Sequence, residues 1–169
     1  MIVCAGDIES FDFAKPIGIG LIESAISLTD LILNSNPIEI TFIGTAGSYG
    51  DYEIFDIVTS ASSSQIEHSL LLDTSYSPIQ NQIVSHETEP IVNSSNYITT
   101  DSKISKMYIK QGISLENMEF YSVLRVAKRY NIKAKGIFVV TNYCNKDAHK
   151  EFLKNHNKAK NLLEEFIKG

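Results

Sequence analysis

The sequence predicts an α/β fold in which helices cover a parallel or mixed sheet. The apolar run Ile137–Val140 contains only β-branched and aromatic residues, which is typical of a buried strand. Before this run, apolar residues from Met118 to Ala127 recur at approximately helical spacing, and basic side chains collect near the end of the segment. Because ligands of open α/β sheets bind outside the carboxyl ends of strands, we expect Asn142 to lie beside a ligand.

The N-terminal part of the chain shows the same alternation of strands and helices. The apolar run Ile2–Ala5 predicts a first strand, which places Asp7 and Glu9 in the loop that follows. A helix is predicted over Leu21–Leu33 and a second strand over Ile38–Ile43. The helix is expected to bury one broad apolar face, formed by Leu21, Ile22, Ala25, Ile26, Leu28, Thr29 and Ile32.

A turn of small residues, Gly44–Ser48, is predicted directly after the second strand. Small side chains let a ligand approach backbone N–H groups closely, and the hydroxyls of Thr45 and Ser48 can add hydrogen bonds. An ordinary turn is the competing interpretation, because most glycine clusters after strands are turns and nothing more. The earlier Gly18-Ile19-Gly20 segment does not complete a dinucleotide-binding fingerprint, since position 23 is Glu.

The remaining elements are predicted less evenly, and residues 66–96 carry the weakest pattern. Predicted strands lie at Phe55–Ser60, Ile79–Val84 and Glu89–Val92, and predicted helices run from a cap at Thr99–Ser102 toward Met107 and over Asp147–Lys168.

Composition favours a single domain over residues 1–169, because a chain with 43% hydrophobic residues can bury one sizeable core. A net charge of −5 with few arginines disfavours a nucleic-acid partner and favours a small molecule. Cys4 and Cys144 are too far apart for a CxxC pair, so we predict a cytoplasmic protein without a disulfide framework. Neither a signal peptide nor a membrane anchor is expected from the hydropathy pattern.

Other chemistries find little support in the sequence. His68, His86, His149 and His156 show no metal-ligand spacing with cysteines or carboxylates, so we expect no metal and interpret these histidines as solvated. The GxSxG motif of serine hydrolases is missing from the sequence. Cys144 follows the buried strand and is a candidate reactive thiol.

Four blocks, taken in order, carry a family resemblance: Gly18-Ile19-Gly20, Gly44-Thr45-Ala46-Gly47, Asn117-Met118-Glu119, and Val139–Asn142 with Asp147–Phe152. Together they resemble the nucleoside phosphorylase and nucleosidase superfamily, which includes purine nucleoside phosphorylases and methylthioadenosine/S-adenosylhomocysteine nucleosidases. The resemblance implies a three-layer fold, with a mixed central sheet flanked by helices. It also implies a chain of reduced size, because few residues separate the Asp7 and Glu9 region from Gly18.

The resemblance also implies substrate-binding roles. Glu119 matches the glutamate that binds the ribose hydroxyls, a task that suits an ionised carboxylate, although a first-turn glutamate stabilised by the helix dipole is the competing interpretation. Met118 matches the methionine that packs on the sugar. Tyr97 matches the aromatic residue that stacks on the purine, and Ile98 matches the residue whose backbone hydrogen bonds to the edge of the base. Core packing is the competing interpretation for all three. The ribose and nucleophile site is matched by Thr45, Ala46 and Gly47.

Two departures from the family pattern bear on the chemistry. The nucleosidases have an aspartate where this chain has Asn142, and an amide can donate a hydrogen bond to N7 of the purine but cannot deliver a proton. Asn142 therefore indicates either a preference for 6-oxopurines or the loss of most activity. Phosphorylases place an arginine beside the small-residue loop to bind phosphate, but this chain has Phe42 there, which favours water as the nucleophile. Either Asp7 or Glu9 is expected to position that water.

The sequence thus predicts a protein that binds a purine nucleoside and hydrolyses its N-glycosidic bond, with Asn142 and either Asp7 or Glu9 at the reacting centre. The alternatives are a phosphorylase with phosphate as co-substrate and a catalytically silent nucleoside-binding or scaffold protein. We predict no cofactor. A homodimer is expected, because family sites are often completed by a neighbouring subunit and a reduced sheet has apolar edges.

Overall fold

The computed structural model describes residues 1–86 and 89–169. The elements follow in the order β1 (Ile2–Cys4), β2 (Lys15–Pro16), α1 (Leu21–Ser35), β3 (Glu39–Ser48), β4 (Ile57–Ser60), β5 (Ser63–Ser64), α2 (His68–Leu71), β6 (Gln82–Ile83), β7 (Ile91–Ser94), α3 (Ser102–Lys110), β8 (Ile113–Asn117), α4 (Phe120–Arg129), β9 (Lys133–Tyr143) and α5 (Ala148–Lys168).

A mixed sheet of nine strands forms the middle layer of the fold. Strand β3 is its centre: one edge pairs in parallel with β9 along its whole length, and the other pairs with β1 near its start and with β8 at its end. The sheet continues from β8 through β7 and β5 to β6, while β4 lies on the far edge of β9. Helices cover both faces, as the predicted α/β fold class requires.

The alternation of side chains along β9 explains why its sequence is apolar without interruption. Phe138 and Val140 pack on the face covered by α1 and α4, whereas Ile137 and Val139 pack on the face covered by α5. Successive residues of a strand point to opposite faces, so a strand between two helical layers needs apolar residues at every position.

Most predicted elements are confirmed, with three corrections. Residues Gly44–Ser48 are not a turn, because β3 continues through them while it pairs with β9. The segment around Asn117 does not open a helix: it ends β8, a strand that the sequence analysis missed, and α4 begins at Phe120. Helix α1 buries Ser24, Leu28 and Ile32 and leaves Ile22 and Ile26 exposed. The predicted apolar face of that helix was therefore partly wrong.

The described residues include no helix that is long and apolar enough to cross a membrane.

Two of the four histidines are less exposed than predicted. His156 is buried against the backbone of Ile8, and His68 is half-buried and hydrogen bonded to Thr99.

Candidate active site

A cavity of about 280 Å³ opens where the ends of β1, β3, β8 and β9 meet. All ten residues that the sequence analysis proposed for the site line this cavity, although they come from five separate segments of the chain. The structure therefore brings together Asp7, Glu9, Thr45–Gly47, Tyr97–Ile98, Met118–Glu119 and Asn142. No lysine or arginine among the described residues lines the cavity, so its charged lining is acidic.

Glu119 occupies the position that caps the N-terminus of α4, and it is buried. Its Oε1 accepts a hydrogen bond from the backbone N–H of Gly20 at 2.9 Å, and its Oε2 accepts one from Met118 N at 3.2 Å. Burial, with a contribution from the charge of Glu9, raises the pKa of Glu119 to about 7, and the two N–H donors oppose the rise. A carboxylate has about four lone-pair sites, so sites remain for hydroxyl groups of a ligand.

Glu9 lines the same cavity as Glu119 and lies in the loop after β1. Its Oε1 accepts hydrogen bonds from the backbone N–H of Thr45 at 3.1 Å and from the Thr45 hydroxyl. Within the described residues, Oε2 of Glu9 accepts no hydrogen bond and is not among the buried atoms without a partner, so it faces the cavity. Burial raises the pKa of this carboxyl group, opposed by the Thr45 hydrogen bonds and by the charges of His156 and Lys160.

Asp7 lies in the same loop as Glu9 but differs from it in burial. Asp7 is exposed and has a positive φ of 54°, whereas Glu9 is partly buried and tied to Thr45. The sequence left the choice between these two carboxylates open, and the geometry favours Glu9 as the group that faces a bound ligand.

Asn142 lies at the end of β9, with its amide held in a defined orientation. Its Oδ1 accepts a hydrogen bond from the Thr141 hydroxyl at 2.9 Å, and its Nδ2 donates to the backbone carbonyl of Tyr143 at 3.2 Å. An amide nitrogen carries two hydrogens, so one remains for a ligand. A Cβ at Gly47, on the neighbouring strand, would lie 3.0 Å from Nδ2, so the amide leans over that glycine.

The mouth of the cavity is apolar. Tyr97 and Ile98 are 74% and 50% exposed, so they are not core residues, and Met118 is half-buried. Ile19 and Phe152 also line this space, and neither was proposed as a site residue.

Glu116 is the main residue of the cavity that sequence reasoning missed. It is buried within β8, where its carboxylate accepts hydrogen bonds from Tyr49, from the backbone N–H of Thr99 and from the Thr99 hydroxyl. Burial raises its pKa, and those hydrogen bonds oppose the rise. The alternation Ile113-Ser-Leu115-Glu is the one sequence signal that could have revealed the strand.

The cavity does not contain a recognisable metal centre. Across residues 1–86 and 89–169, no group of three His, Cys, Asp or Glu side chains is arranged to hold a metal ion. Cys144 is buried, and burial together with the neighbouring Glu116 carboxylate raises its pKa well above the usual range. The thiolate is therefore disfavoured, which argues against the reactive role considered for this thiol.

Comparison with known proteins supports the family resemblance over part of the chain and shows the fold. Residues 92–169 match the model of the phosphorylase superfamily, and no curated protein sequence matches the chain. The native futalosine hydrolase of Helicobacter pylori strain 26695 superposes with a TM-score of 0.83 at 16% identity, covering 99% of this chain and 94% of that chain. At this level of sequence identity, the similarity shows a shared fold and nothing more.

Two nucleosidase structures show the same similarity. A mutant H. pylori MTAN with 5′-methylthioadenosine in its active site has a TM-score of 0.82 at 16% identity, covering 99% of this chain and 95% of that chain. The Streptococcus pneumoniae MTA/SAH nucleosidase in complex with 8-aminoadenine has a TM-score of 0.79 at 13% identity, covering 98% and 95%. The family match over residues 92–169, on a chain with the nucleosidase fold throughout, confirms the resemblance to the nucleoside phosphorylase and nucleosidase superfamily.

Proposed function

We propose that this protein binds a purine nucleoside and hydrolyses its N-glycosidic bond. The observation that carries the proposal is the convergence of Glu9, Glu119 and Asn142, with the apolar Tyr97 and Ile98, on one cavity. A sugar needs acceptors for its hydroxyls and a purine needs a flat apolar surface with a few polar contacts, and this cavity offers both kinds of lining.

The residues divide into two groups along the cavity. At one end, which we call the sugar end, Glu119 accepts hydrogen bonds from ribose hydroxyls, Met118 packs on the sugar, and Glu9 holds the attacking water beside Thr45. At the other end, which we call the base end, Tyr97 stacks on the purine and Asn142 donates a hydrogen bond to it. Ile98 and the backbone of Ala46 and Gly47 complete the walls.

The reaction follows from the free oxygen of Glu9. Water attached to Oε2 of Glu9 attacks C1′, the bond between C1′ and the base nitrogen breaks, and the bonding electrons leave with the base. One proton of the water passes to Glu9, while the base takes up a proton, so the products are free base and ribose. The acidic lining also stabilises the positive charge that develops on the sugar as the glycosidic bond lengthens.

The acidic lining disfavours the phosphorylase alternative. Phosphate binding in proteins uses cationic side chains, above all arginine, but Arg125 and Arg129 are exposed on α4 and do not line the cavity. Glu9 and Glu119 would instead repel a phosphate dianion. We therefore favour water as the nucleophile, and we propose no cofactor.

Product analysis separates the candidate functions. Adenosine, inosine, guanosine and methylthioadenosine are incubated with the protein, each with and without phosphate, and the free base and the sugar are quantified. Hydrolysis gives free base and ribose without phosphate, whereas a phosphorylase gives a sugar phosphate and needs phosphate. Binding without product in every case would overturn the enzymatic proposal and support the silent nucleoside-binding protein.

The variant Asn142→Asp identifies the effect of the missing acid. A carboxyl group at this position can protonate N7, which an amide cannot, so we expect it to improve the cleavage of adenosine more than that of inosine. If wild-type protein is silent and this variant turns over adenosine, the amide at position 142 is the cause of the silence.

We also propose a homodimer, on the basis of exposed apolar side chains on α1. Ile22, Ile26 and Leu33 are 66%, 55% and 66% exposed, and their spacing places them on one face of α1. Light scattering at micromolar concentration should give the dimer mass, and the variant Ile26→Lys should give a monomer. A monomeric wild-type protein would contradict this proposal.

A further inference from the structure

Glu116 lies beside Asn142 across the central strand. Gly47 of β3 is in register with Glu116 of β8 on one side and with Asn142 of β9 on the other. Residues directly opposite one another on paired strands point to the same face of the sheet, so both side chains lie on the face of Gly47. Because Gly47 has no side chain, nothing of its own separates them.

Contacts over Gly47 show that both side chains border the same small volume. A Cβ at Gly47 would lie 3.0 Å from Asn142 Nδ2 and 2.8 Å from Cys144 Sγ. The same sulfur lies 3.8 Å from Glu116 Oε1. Glu116 itself lines the cavity, and it touches the Cys144 sulfur that shares the space over Gly47 with the Asn142 amide, so an acid at Glu116 lies at the base end.

The two oxygens of Glu116 have different partners. Oε1 accepts a hydrogen bond from the backbone N–H of Thr99 at 2.8 Å, and a backbone N–H can only donate. Oε2 is bonded to the hydroxyls of Tyr49, at 2.7 Å, and Thr99. A hydroxyl can both donate and accept, so one of the two can turn to accept from a proton on Oε2 while the other still donates to it.

The Thr99 hydroxyl connects Glu116 to a histidine. Thr99 Oγ1 lies 2.9 Å from Nε2 of His68, the first residue of α2, and His68 is only half-buried. Glu116, Thr99 and His68 thus form a continuous hydrogen-bonded chain from the cavity to a side chain that water can reach.

We propose that Glu116 is the proton donor to the leaving base and that His68 resupplies its proton through the Thr99 hydroxyl. This inference rests on the proposed hydrolysis. It gives the reaction the acid that Asn142 cannot provide, from a different strand of the same sheet.

The proton balance is complete along this chain. As the bond between C1′ and the base nitrogen breaks, the Oε2 proton of Glu116 moves to a purine nitrogen. The Thr99 hydroxyl then gives its proton to Oε2 and takes one from Nε2–H of His68, which regains a proton from solvent. The proton that Glu9 accepts from the attacking water returns to solvent, so the net reaction consumes one water.

The groups around Glu116 set how readily it holds a proton. Burial raises its pKa, and the Thr99 and Tyr49 hydrogen bonds and the charge of His68 moderate the rise. The other facing groups, Cys144 and Tyr108, have pKa values that burial and Glu116 raise, so both stay neutral. Turnover should therefore fall as pH rises through the pKa of Glu116.

The test compares leaving groups that do and do not need a proton. Turnover of inosine and adenosine is measured beside that of p-nitrophenyl riboside, whose phenolate leaves without protonation. For Glu116→Gln we expect kcat to fall by about 10²-fold or more on the nucleosides and by less than about threefold on the riboside. The fall in nucleoside turnover at high pH should also disappear.

Two further variants test whether the hydrogen-bonded chain from Glu116 to His68 carries protons or only contributes packing. Thr99→Val keeps the backbone N–H but removes the relay hydroxyl, so it should lower nucleoside turnover and spare the riboside. Tyr49→Phe removes a donor to Oε2 outside the relay, so it should keep kcat at low pH and move the fall to higher pH. Equal losses on both substrate classes, or wild-type nucleoside turnover in Glu116→Gln or Thr99→Val, would overturn the relay. A wild-type protein that cleaves the riboside and no nucleoside would overturn it too, and one that cleaves nothing would overturn the proposed function itself.

Discussion

The sugar end and the base end of the cavity both contain buried carboxylates, yet the donors around them differ. At the sugar end, both oxygens of Glu119 accept from backbone N–H groups, of Gly20 and Met118, and Oε2 also accepts from the side-chain amide of Asn117. At the base end, one oxygen of Glu116 accepts from a backbone N–H and the other from the hydroxyls of Tyr49 and Thr99.

This difference sets what each carboxylate can do. A backbone N–H cannot become an acceptor, so a proton on Glu119 could not be accepted by either N–H group, whereas hydroxyls can rotate to accept a proton on Glu116. Burial raises the pKa of both groups. The sugar end is therefore built to hold negative charge and the base end is able to hold a proton, as acid and base roles in one reaction require.

Glu9 should be the residue whose loss most weakens catalysis at the sugar end. We expect Glu9→Gln to lower kcat for nucleoside cleavage by about 10²–10⁴-fold, the usual contribution of a general base, because an amide cannot accept the proton of water. Steady-state kinetics on the cleaved nucleoside measure the change. The matched control is Asp7→Asn in the same loop, which should alter kcat by less than about threefold. Reversed effects would assign the water to Asp7.

The pH dependence of stability tests whether folding raises the pKa of Glu119, so that keeping it ionised costs free energy. Its pKa is about 7 in the folded protein, above the usual value of 4.5, so the folded state binds this proton more tightly than the unfolded state. Stability from this group is present below pH 4.5 and is lost as pH rises toward 7. The loss amounts to about 3 kcal/mol at 1.36 kcal/mol per pKa unit.

Urea unfolding of Glu119→Gln and of wild type at pH 5 and pH 8 measures this loss. Whatever the stability of the variant at pH 5, its stability relative to wild type should rise between the two pH values by about 2–3 kcal/mol. Glu23→Gln, on the first turn of α1, is measured in parallel as the matched exchange of a carboxylate for an amide. A constant difference between variant and wild type would show that Glu119 is not protonated on folding.

Gly47→Ala tests the open space at the base end. The added methyl group would lie 2.8 Å from Cys144 Sγ and 3.0 Å from Asn142 Nδ2, so we expect a loss of about 1–3 kcal/mol in the free energy of unfolding. Gly44→Ala in the same strand is the control, because its methyl group would meet Phe42 at 3.2 Å and Glu9 at 3.4 Å. Chemical unfolding should show the larger loss for Gly47→Ala. Equal losses would show that the base end is packed no more tightly around Gly47 than the strand is around Gly44.

The sequence predicted the sugar end better than the base end, for a physical reason. Glu119 and Met118 stand together in one short local motif, so their identity could be read from adjacent residues, whereas at the base end only Asn142 stands in such a motif. Glu116 depends on β8, whose five residues include Ser114, Glu116 and Asn117 and so lack the apolar run of a buried strand. Its role also depends on Thr99 and His68, which meet it only through pairing between distant segments.

The same limit explains the corrections to the fold. Residues Gly44–Ser48 have the composition of a turn, but pairing with β9 holds them as a strand, and tertiary pairing overrides local propensity. In α1 the apolar residues spread over more than one face, so periodicity alone could not show that Leu28 is buried and Ile22 is exposed. Local pattern specified that each element exists more reliably than where it ends or which side it buries.

Substitution of His156 tests the hydrogen bond that holds the Glu9 loop at the sugar end, and it should have the smallest effect on stability. Its Nε2 lies 3.0 Å from the carbonyl of Ile8, the residue before Glu9, and must donate to it, while its buried Nδ1 has no partner within the described residues. We expect His156→Leu to cost about 1 kcal/mol, the net worth of one hydrogen bond, measured by chemical unfolding. His156→Gln, which can keep the donor, should cost less. Because the contact acts on Glu9 and not on Glu116, cleavage of p-nitrophenyl riboside and of nucleosides should fall by the same factor in His156→Leu. A loss of turnover on the nucleosides alone would show that His156 acts on the base end instead.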